Sequence, residues 1–207
     1  MKKKSKIKTV SFLASGRGSN FEAVTEKILT GYITAETGIL ITDRENAPCL
    51  EKAAKLGVDS VYINPKEFGS REEHEQEMVK YLEKFKTDLI VASGYMRILT
   101  PWFINKFRMK IINIHPSLLP SFPGKNAQQQ AIDYGVRVTG CTTHFVDEGT
   151  DTGPIILQAP VEIMTYDDSE SLSARILLEE HRILAESVRL FCEDRLAIKE
   201  RVVKIKR

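Results

Sequence analysis

The sequence predicts an α/β fold: a doubly wound, mostly parallel, Rossmann-like sheet with helices on both faces and a long C-terminal helix. Three observations predict it. Short apolar runs alternate with helix-like segments along the first half of the chain, which is the order of a parallel sheet crossed by helices. A glycine-rich loop joins the first run to the first helix. A long segment with helical spacing of its apolar residues comes last.

The elements of the first half follow in order. Apolar runs predict strands over 9–14, 38–42, 60–63, 89–92 and 111–115. Helices are predicted over about 20–29, 47–56, 71–85 and 101–106. In the third of these helices Met78, Leu82 and Phe85 share one face. In the fourth, Pro101 stands at the first position, where its missing N–H is not needed.

After about residue 135 the rhythm changes. Two strands, over 139–146 and 155–161, are separated by the turn-rich segment 147–154, and one helix over about 169–192 closes the fold. The sequence has no internal repeat, no low-complexity tract and no linker rich in Pro or Ser. The sheet is therefore expected to run through both halves as one domain.

Bulk composition excludes several classes of protein. Of the 207 residues, 42% are hydrophobic and 28% are charged, as in an ordinary globular protein. The net charge of +2 points to neither a nucleic acid nor a membrane partner, and no apolar run is long enough to span a bilayer. The three cysteines, Cys49, Cys141 and Cys192, lack CxxC spacing, which favours a reducing cytoplasm over a disulfide framework or a zinc site.

The strand over 111–115 carries the most informative polar residues. Asn113 and His115 interrupt its apolar pattern two positions apart, so both side chains project from the same face of the strand. Pro116 then ends the strand. Open α/β sheets bind their ligands at the carboxyl ends of strands, so this pair is a candidate site. The alternative is a capping Asn beside a core His.

A second candidate is the loop between the first strand and the first helix, formed by Gly16, Arg17, Gly18, Ser19 and Asn20. Its glycines allow a tight turn, and the helix that follows presents free N–H groups and a positive dipole end, which suits phosphate. Phe21 stands where a dinucleotide fingerprint has its third glycine. Two alternatives stay open: Ser19 or Asn20 only caps the helix, or Asp43 holds the ribose of NAD in a dehydrogenase-like module.

A third candidate is the acidic loop that contains His144, Asp147, Glu148 and Asp151. Acidic residues in a glycine-rich loop are usually solvated turn formers. However, Asp151 together with Asn113 and His115 would make a usable catalytic set. A carboxylate beside an imidazole favours the imidazolium, which with an amide can stabilise an oxyanion. A metal held by His115, His144 and Asp151 is a weaker alternative, because no characteristic ligand spacing supports it.

These motifs resemble those of the phosphoribosylglycinamide formyltransferase family. The likeness rests on NIHPSLLPSFPG at 113–124, DTGPIILQ at 151–158, GYMRIL at 94–99 and the 15–20 loop, and it covers nearly the whole chain. The Asn, His and Asp set is shared by all hydrolases and transferases that use 10-formyltetrahydrofolate. The Gly-x-Gly-Ser-Asn loop together with His-Pro-Ser selects this branch.

The resemblance implies transfer of a formyl group from the cosubstrate 10-formyltetrahydrofolate to the amine of N1-(5-phospho-D-ribosyl)glycinamide (glycinamide ribonucleotide) in de novo purine biosynthesis, without a metal. It implies catalysis by Asn113, His115 and Asp151. It assigns the ribonucleotide to Gly16, Arg17, Gly18, Ser19, Asn20 and Glu180. It assigns the folate to Arg71, Met96, Arg97, Ile98, Leu99, Val146, Asp147 and Asp151. Glu180 is unusual on its own account, because helical spacing places it on or beside an apolar stripe.

The resemblance also makes 1–207 a single formyltransferase domain, with a ribonucleotide-phosphate half over about 1–100 and a catalytic and folate half over about 101–207. The expected partners are small molecules, the expected assembly is a monomer or homodimer, and the expected location is the cytoplasm. Two departures from the family pattern affect the substrate side: Leu177, where Gln is common, and the segment 125–128, which lacks the histidines of some members. A sister formyltransferase acting on another amine, such as an amino sugar nucleotide, is the nearest alternative.

Overall fold

The computed structural model describes residues 6–206. Within this range the chain forms nine strands and six α-helices. The strands are β1 (Lys8–Leu13), β2 (Ala35–Thr42), β3 (Asp59–Tyr62), β4 (Leu89–Ala92), β5 (Ile111–His115), β6 (Val138–Phe145), β7 (Ile155–Glu162), β8 (Leu196–Lys199) and β9 (Val202–Ile205). The helices are α1 (Ser19–Leu29), α2 (Pro48–Leu56), α3 (Arg71–Lys84), α4 (Pro101–Lys106), α5 (Ala127–Tyr134) and α6 (Ser169–Cys192).

All of these strands belong to one sheet, in the order β3-β2-β1-β4-β5-β6-β7-β9-β8. The first five are parallel to one another, whereas β6 runs antiparallel to both β5 and β7. The predicted mostly parallel, doubly wound sheet is confirmed. The strand order reverses between β1 and β4, and the carboxyl ends of strands at such a point form a crevice that suits a ligand.

Helices cover both faces of the sheet, as predicted. On one face α1, α2 and α6 pack against the sheet through a core that includes Phe21, Ala53 and Leu184. On the other face α3 and α4 pack through a second core that includes Met78 and Phe103. Burial of these apolar side chains supplies most of the driving force for the fold.

The end of the chain differs from its prediction. The long helix does not close the fold, because a hairpin of β8 and β9 follows it and joins the sheet beside β7. Helix α5 was also not predicted, since only Ala127 and Ala131 in its sequence AQQQAIDY are buried and small residues give a weak apolar signal. Among residues 6–206 no helix is long and apolar enough to cross a membrane.

Candidate functional site

The carboxyl end of β5 brings its two polar residues to one face, as the strand period predicted. His115 is buried and Asn113 is half-buried. The neighbouring strand β6 is antiparallel, and its register places His144 opposite Asn113 and Thr142 opposite His115. Four polar side chains from two strands therefore meet at one edge of the sheet.

His144 is neutral and orients Asn113. Its Nδ1 lies 2.9 Å from the carbonyl oxygen of Phe145, an acceptor, so Nδ1 carries the proton. Its Nε2 is then an acceptor, and the amide nitrogen of Asn113 donates to it over 3.2 Å. Burial lowers the pKa of His144, which favours this uncharged form near neutral pH.

His115 lies between two acceptors. Its Nε2 is 2.8 Å from the carbonyl oxygen of Phe122, and its Nδ1 is 3.2 Å from Oδ2 of Asp151. A neutral imidazole has only one N–H and would turn a lone pair towards one of these oxygens. Both contacts are satisfied when the ring is an imidazolium and Asp151 is a carboxylate, so the geometry supports an ion pair.

The acidic loop delivers Asp151 to this pair. Asp151 has a left-handed backbone, with φ of 55°, which non-glycine residues adopt only when their surroundings hold them there. The backbone N–H of Gly124 donates to Asp151 Oδ2 over 2.8 Å. At the end of the loop, a Cβ on Gly153 would lie only 1.7 Å from the carbonyl oxygen of Phe145, so only glycine fits there. The structure thus brings Asp151 to the strand that carries Asn113 and His115, whereas the sequence could only place Asp151 on a separate segment.

The metal alternative has no support in this geometry. His144 Nε2 faces Asn113, and its distance to Asp151 Oδ1 is 3.7 Å. In the part of the chain that the structure describes, no group of three or more His, Cys, Asp or Glu side chains is arranged to hold a metal ion.

The glycine loop leads into α1 without a side-chain cap. Gly18 is the N-cap residue, with φ of 65°, and no side chain accepts a hydrogen bond from the first turn. The interpretation that Ser19 or Asn20 merely caps the helix is therefore wrong, because Ser19 already lies inside α1. An uncapped helix start next to exposed Arg17 keeps its N–H groups available for an anion.

Asn20 and Glu180 meet although 160 residues separate them, because α1 and α6 pack on the same face of the sheet. Asn20 Nδ2 donates to Glu180 Oε2 over 2.8 Å, and both residues are buried. Asn20 Oδ1 is buried without a hydrogen-bond partner in the described structure. Burial raises the pKa of Glu180, and the bond from Asn20 partly opposes that rise. This hydrogen bond joins the first half of the chain to the second.

The segment after β4 lies directly beside the glycine loop. Ser15 joins them, because its N–H donates to the Gly94 carbonyl over 3.1 Å and its Oγ accepts from the Met96 N–H over 2.9 Å. Met96 and Ile98 are 63% and 69% exposed, which is unusual for apolar side chains and leaves them free to cover an apolar ligand. Leu99 differs, since it is buried in the core shared with α3 and α4.

The remaining positions expected to contact folate are arranged as follows. Arg71 is exposed at the first turn of α3, and Arg97 is half-buried. Val146 is half-buried against the second core. Asp147 accepts from the N–H of Gly149 and the hydroxyl of Thr152, so its carboxylate shapes the acidic loop.

Several groups that build the site were missed by sequence reasoning. The sequence indicated His144 only as a candidate metal ligand. Its hydrogen bond with Asn113 arises from the antiparallel pairing of β5 and β6, which places the two residues opposite each other. The backbone groups of Phe122 and Gly124 carry no residue-type signal at all. Glu75 was also missed: it is buried in α3 and accepts from both the N–H and the hydroxyl of Thr100, the N-cap of α4.

The dinucleotide alternative does not fit the described fold. Phe21 is fully buried and packs edge-on against Phe12 of β1, with ring centroids 4.9 Å apart. A dinucleotide fingerprint needs glycine at this position so that helix and strand can approach closely. Phe21 instead holds α1 away from the strand.

Comparison with known proteins agrees with this arrangement. The formyl transferase family profile matches residues 8–188. The chain is 40% identical to phosphoribosylglycinamide formyltransferase of Bacillus subtilis over 85% of this chain and 90% of that protein. It is 41% identical to the trifunctional purine biosynthetic protein adenosine-3 of Drosophila pseudoobscura over 91% of this chain, but it spans only 14% of that protein's length. The crystal structure of glycinamide ribonucleotide transformylase 1 from Symbiobacterium toebii superposes with a TM-score of 0.95 at 43% identity, covering 97% of this chain and 95% of that one.

Proposed function

Because the chain belongs to the formyl transferase family, we propose that it transfers a formyl group from 10-formyltetrahydrofolate to the amine of glycinamide ribonucleotide, a step of purine biosynthesis. The single observation that carries this proposal is the contact of His115 with both Asp151 and Phe122, which favours a buried imidazolium beside an amide. That pair suits acyl transfer to an amine, in which negative charge develops on the formyl oxygen.

The chemistry follows from the groups present. The substrate amine attacks the formyl carbon directly, so no Ser or Cys nucleophile is required. Asn113 gives one amide hydrogen to His144 and keeps a second, which is suited to donate to the developing oxyanion. The charge of His115 stabilises the same oxyanion. Its Nε2–H is bonded to the Phe122 carbonyl, so direct donation requires that this carbonyl move away.

Asp151 has two roles in this scheme. Its Oδ2 is bonded to Gly124 and faces His115, which keeps the ring charged. Its Oδ1 lies 3.7 Å from His144 Nε2, which carries no proton in the neutral tautomer, so Oδ1 retains its capacity to accept. We assign to it, directly or through water, the movement of the amine proton towards the departing folate nitrogen.

The glycine loop supports a test with a matched pair of variants. A Cβ on Gly16 would meet no atom within 4 Å, whereas one on Gly18 would lie 2.6 Å from Cβ of Cys49 and would sit on a backbone with φ of 65°. We expect Gly16→Ala to fold normally and to raise the KM for the ribonucleotide, because its methyl group obstructs close approach of phosphate. We expect Gly18→Ala to lower the free energy of unfolding by about 1–3 kcal/mol.

Chemical denaturation and steady-state kinetics with each substrate measure both effects. An unchanged KM for the ribonucleotide in Gly16→Ala, or an equal rise in both KM values, would count against a phosphate site in this loop.

Replacing Glu180 provides a second test, because the substitution is expected to weaken binding of the ribonucleotide but to stabilise the folded protein at pH 8. The carboxylate is suited to accept hydrogen bonds from ribose hydroxyls, and Glu180→Gln keeps an oxygen for Asn20 while removing the charge. We expect the KM for the ribonucleotide to rise about tenfold, the effect of losing one charge-assisted hydrogen bond. The KM for folate should change little, and this difference is the measured quantity.

The stability change depends on pH. Burial raises the pKa of Glu180 in the fold, so the folded protein holds this proton more tightly than the unfolded chain does. The contribution of Glu180 to the free energy of unfolding is therefore largest when the pH is below the ordinary pKa of the carboxyl. It falls as the pH rises from there through the raised value. We expect Glu180→Gln to melt at a higher temperature than the natural protein at pH 8 and at a similar temperature at pH 4. A lower melting temperature at pH 8 would contradict this reasoning.

On the folate side, exposed Met96 and Ile98 offer an apolar surface beside the glycine loop. Arg71 and Arg97 are proposed to face the glutamate carboxylates of the cosubstrate. Their contribution is modest, because exposed ion pairs are screened by water and salt. Leu99 and Asp147 are assigned supporting roles, since one is in the core and the other holds the loop turn.

The experiment that tests the proposed function is an amine panel with 10-formyltetrahydrofolate. Formyl transfer to glycinamide ribonucleotide, an amino sugar nucleotide, glycinamide and water is followed by release of tetrahydrofolate and by mass of the product. The proposal requires that the ribonucleotide be preferred. Preference for the amino sugar nucleotide, or release of formate without transfer, would replace it with a sister activity.

We further propose a cytoplasmic location. The three cysteines are free and buried, and burial raises the pKa of Cys141 and of Cys192 to about 12, which keeps their thiols unreactive. Unpaired cysteines are typical of a reducing compartment. We also propose that the protein is a monomer or a homodimer.

A further inference from the structure

The hairpin of β8 and β9 reaches back to the acidic loop. Arg201 lies in its turn, and Nη2 of its guanidinium donates to the carbonyl oxygen of Thr152 over 2.9 Å. Thr152 directly follows Asp151 in the chain. The peptide group that joins Thr152 to Gly153, shortly before β7 begins at Ile155, is therefore tied to a residue 49 positions after Thr152.

The acidic loop depends on such contacts. Asp151 is held with φ of 55°, and the bonds within the loop end on Asp147, which accepts from Gly149 and Thr152. From outside the loop, Gly124 bonds the Asp151 carboxylate and Asn105 of α4 donates to Glu148 over 3.1 Å. Arg201 is the outside contact that reaches the backbone beside Asp151.

The hairpin is well placed to act as a fixed support. Val202 of β9 pairs with Ile155 of β7, the strand into which the acidic loop leads. The other end of the hairpin is joined by Arg195, whose Nε donates to the carbonyl of Lys206 over 2.8 Å. Arg201 and Asn105 both line a cleft of about 400 Å³ that is also lined by Asp147, Glu148 and Gly149 of the acidic loop.

We propose that Arg201 is a positioning residue for formyl transfer. Its hydrogen bond to the Thr152 carbonyl fixes the peptide group that follows Thr152, one residue beyond Asp151, and so keeps the Asp151 carboxylate at His115. Arg201 touches neither the catalytic side chains nor, in this scheme, the substrates, so its removal affects the rate of the chemical step rather than ground-state binding. This inference rests on the proposed function, because formyl transfer is the reaction that reports it.

The test compares Arg201→Ala, Arg201→Lys and Lys204→Ala. Lys204 is an exposed cation on the same hairpin, and its removal changes the net charge as much as Arg201→Ala does. We expect Arg201→Ala to lower kcat about threefold to tenfold, the loss of one partly exposed charge-assisted bond, with both KM values within about twofold of the natural ones. Arg201→Lys should recover part of the rate, because its ammonium also donates. Lys204→Ala should behave as the natural protein.

A double-variant measurement separates positioning from general loosening. In an Asp151→Asn background Arg201→Ala should have little further effect on kcat, because the carboxylate that it positions is gone. An unchanged kcat in Arg201→Ala, an equal loss in Lys204→Ala, or full additivity with Asp151→Asn would each overturn the proposal.

A readout without substrates distinguishes this failure from failure of the proposed function. The 15N resonances of His115 should shift in Arg201→Ala and stay unchanged in Lys204→Ala, whatever amine the enzyme uses. If the natural protein does not formylate glycinamide ribonucleotide but His115 responds to Arg201, the function is wrong and the positioning contact stands. If transfer occurs and His115 does not respond, the positioning contact is wrong.

Discussion

Replacing Asp151 with Asn is expected to lower kcat by about 10²–10³-fold while the protein stays folded. Asn keeps the size of the side chain and an oxygen for the Gly124 N–H, but it carries no charge. Without the carboxylate, His115 no longer has a charged partner at Nδ1, and its imidazolium form is disfavoured. The KM for the ribonucleotide should be nearly unchanged, because the glycine loop and Glu180 are not altered.

Glu148→Gln is the matched control for this variant. It removes the same charge from the same loop and keeps an oxygen that can accept from Asn105. Its kcat should stay within about twofold of the natural value, as for most exposed charges. A folded Asp151→Asn protein with near-normal single-turnover rates would show that Asp151 is not the catalytic partner of His115.

Removing the amide of Asn113 is expected to have an effect of similar size. Asn113→Ala deletes the proposed oxyanion donor, a change that typically lowers kcat about 10²–10³-fold. It also leaves Nε2 of buried His144 without its donor, which is expected to lower the free energy of unfolding by about 1–3 kcal/mol. Thermal melts recorded beside single-turnover rates separate the two effects, because a purely structural role would leave the rate per folded molecule unchanged.

The two catalytic variants should not be additive. If Asn113 and the His115–Asp151 pair stabilise one oxyanion, the double variant should lose little more than the more severe single variant. Independent losses that multiply would mean that the two groups act at different steps.

Much of the fold could be predicted from the sequence, because its signals are local. The apolar β-branched run of β5 gives a strand, and a period of two places Asn113 and His115 on one face. Gly16 and Gly18 before an amphipathic helix predict a tight turn into the start of α1. In each case the residues that determine the structure are neighbours in the chain, so a few consecutive residues are enough for the prediction.

What could not be predicted depends on contacts between distant segments. The need for glycine at position 18 arises as much from Cys49 of α2 as from the turn itself. The two contacts of the His115 ring are with a carbonyl seven residues away and with a carboxylate in the acidic loop. The C-terminal hairpin combines two short apolar runs with a charged turn, which gives only a weak local signal, and it joins the sheet by pairing with the edge of β7.

The most direct test of catalysis by a preorganised ion pair is the protonation state of His115 in the natural protein. Selective 15N labelling of histidine, with His115→Gln to assign its signals, reports each ring nitrogen separately near neutral pH. We expect two protonated ring nitrogens on His115 and one on His144. In Asp151→Asn we expect His115 to lose one of its two ring protons. A His115 ring that is neutral at the pH of maximal activity would contradict the ion pair and the mechanism built on it.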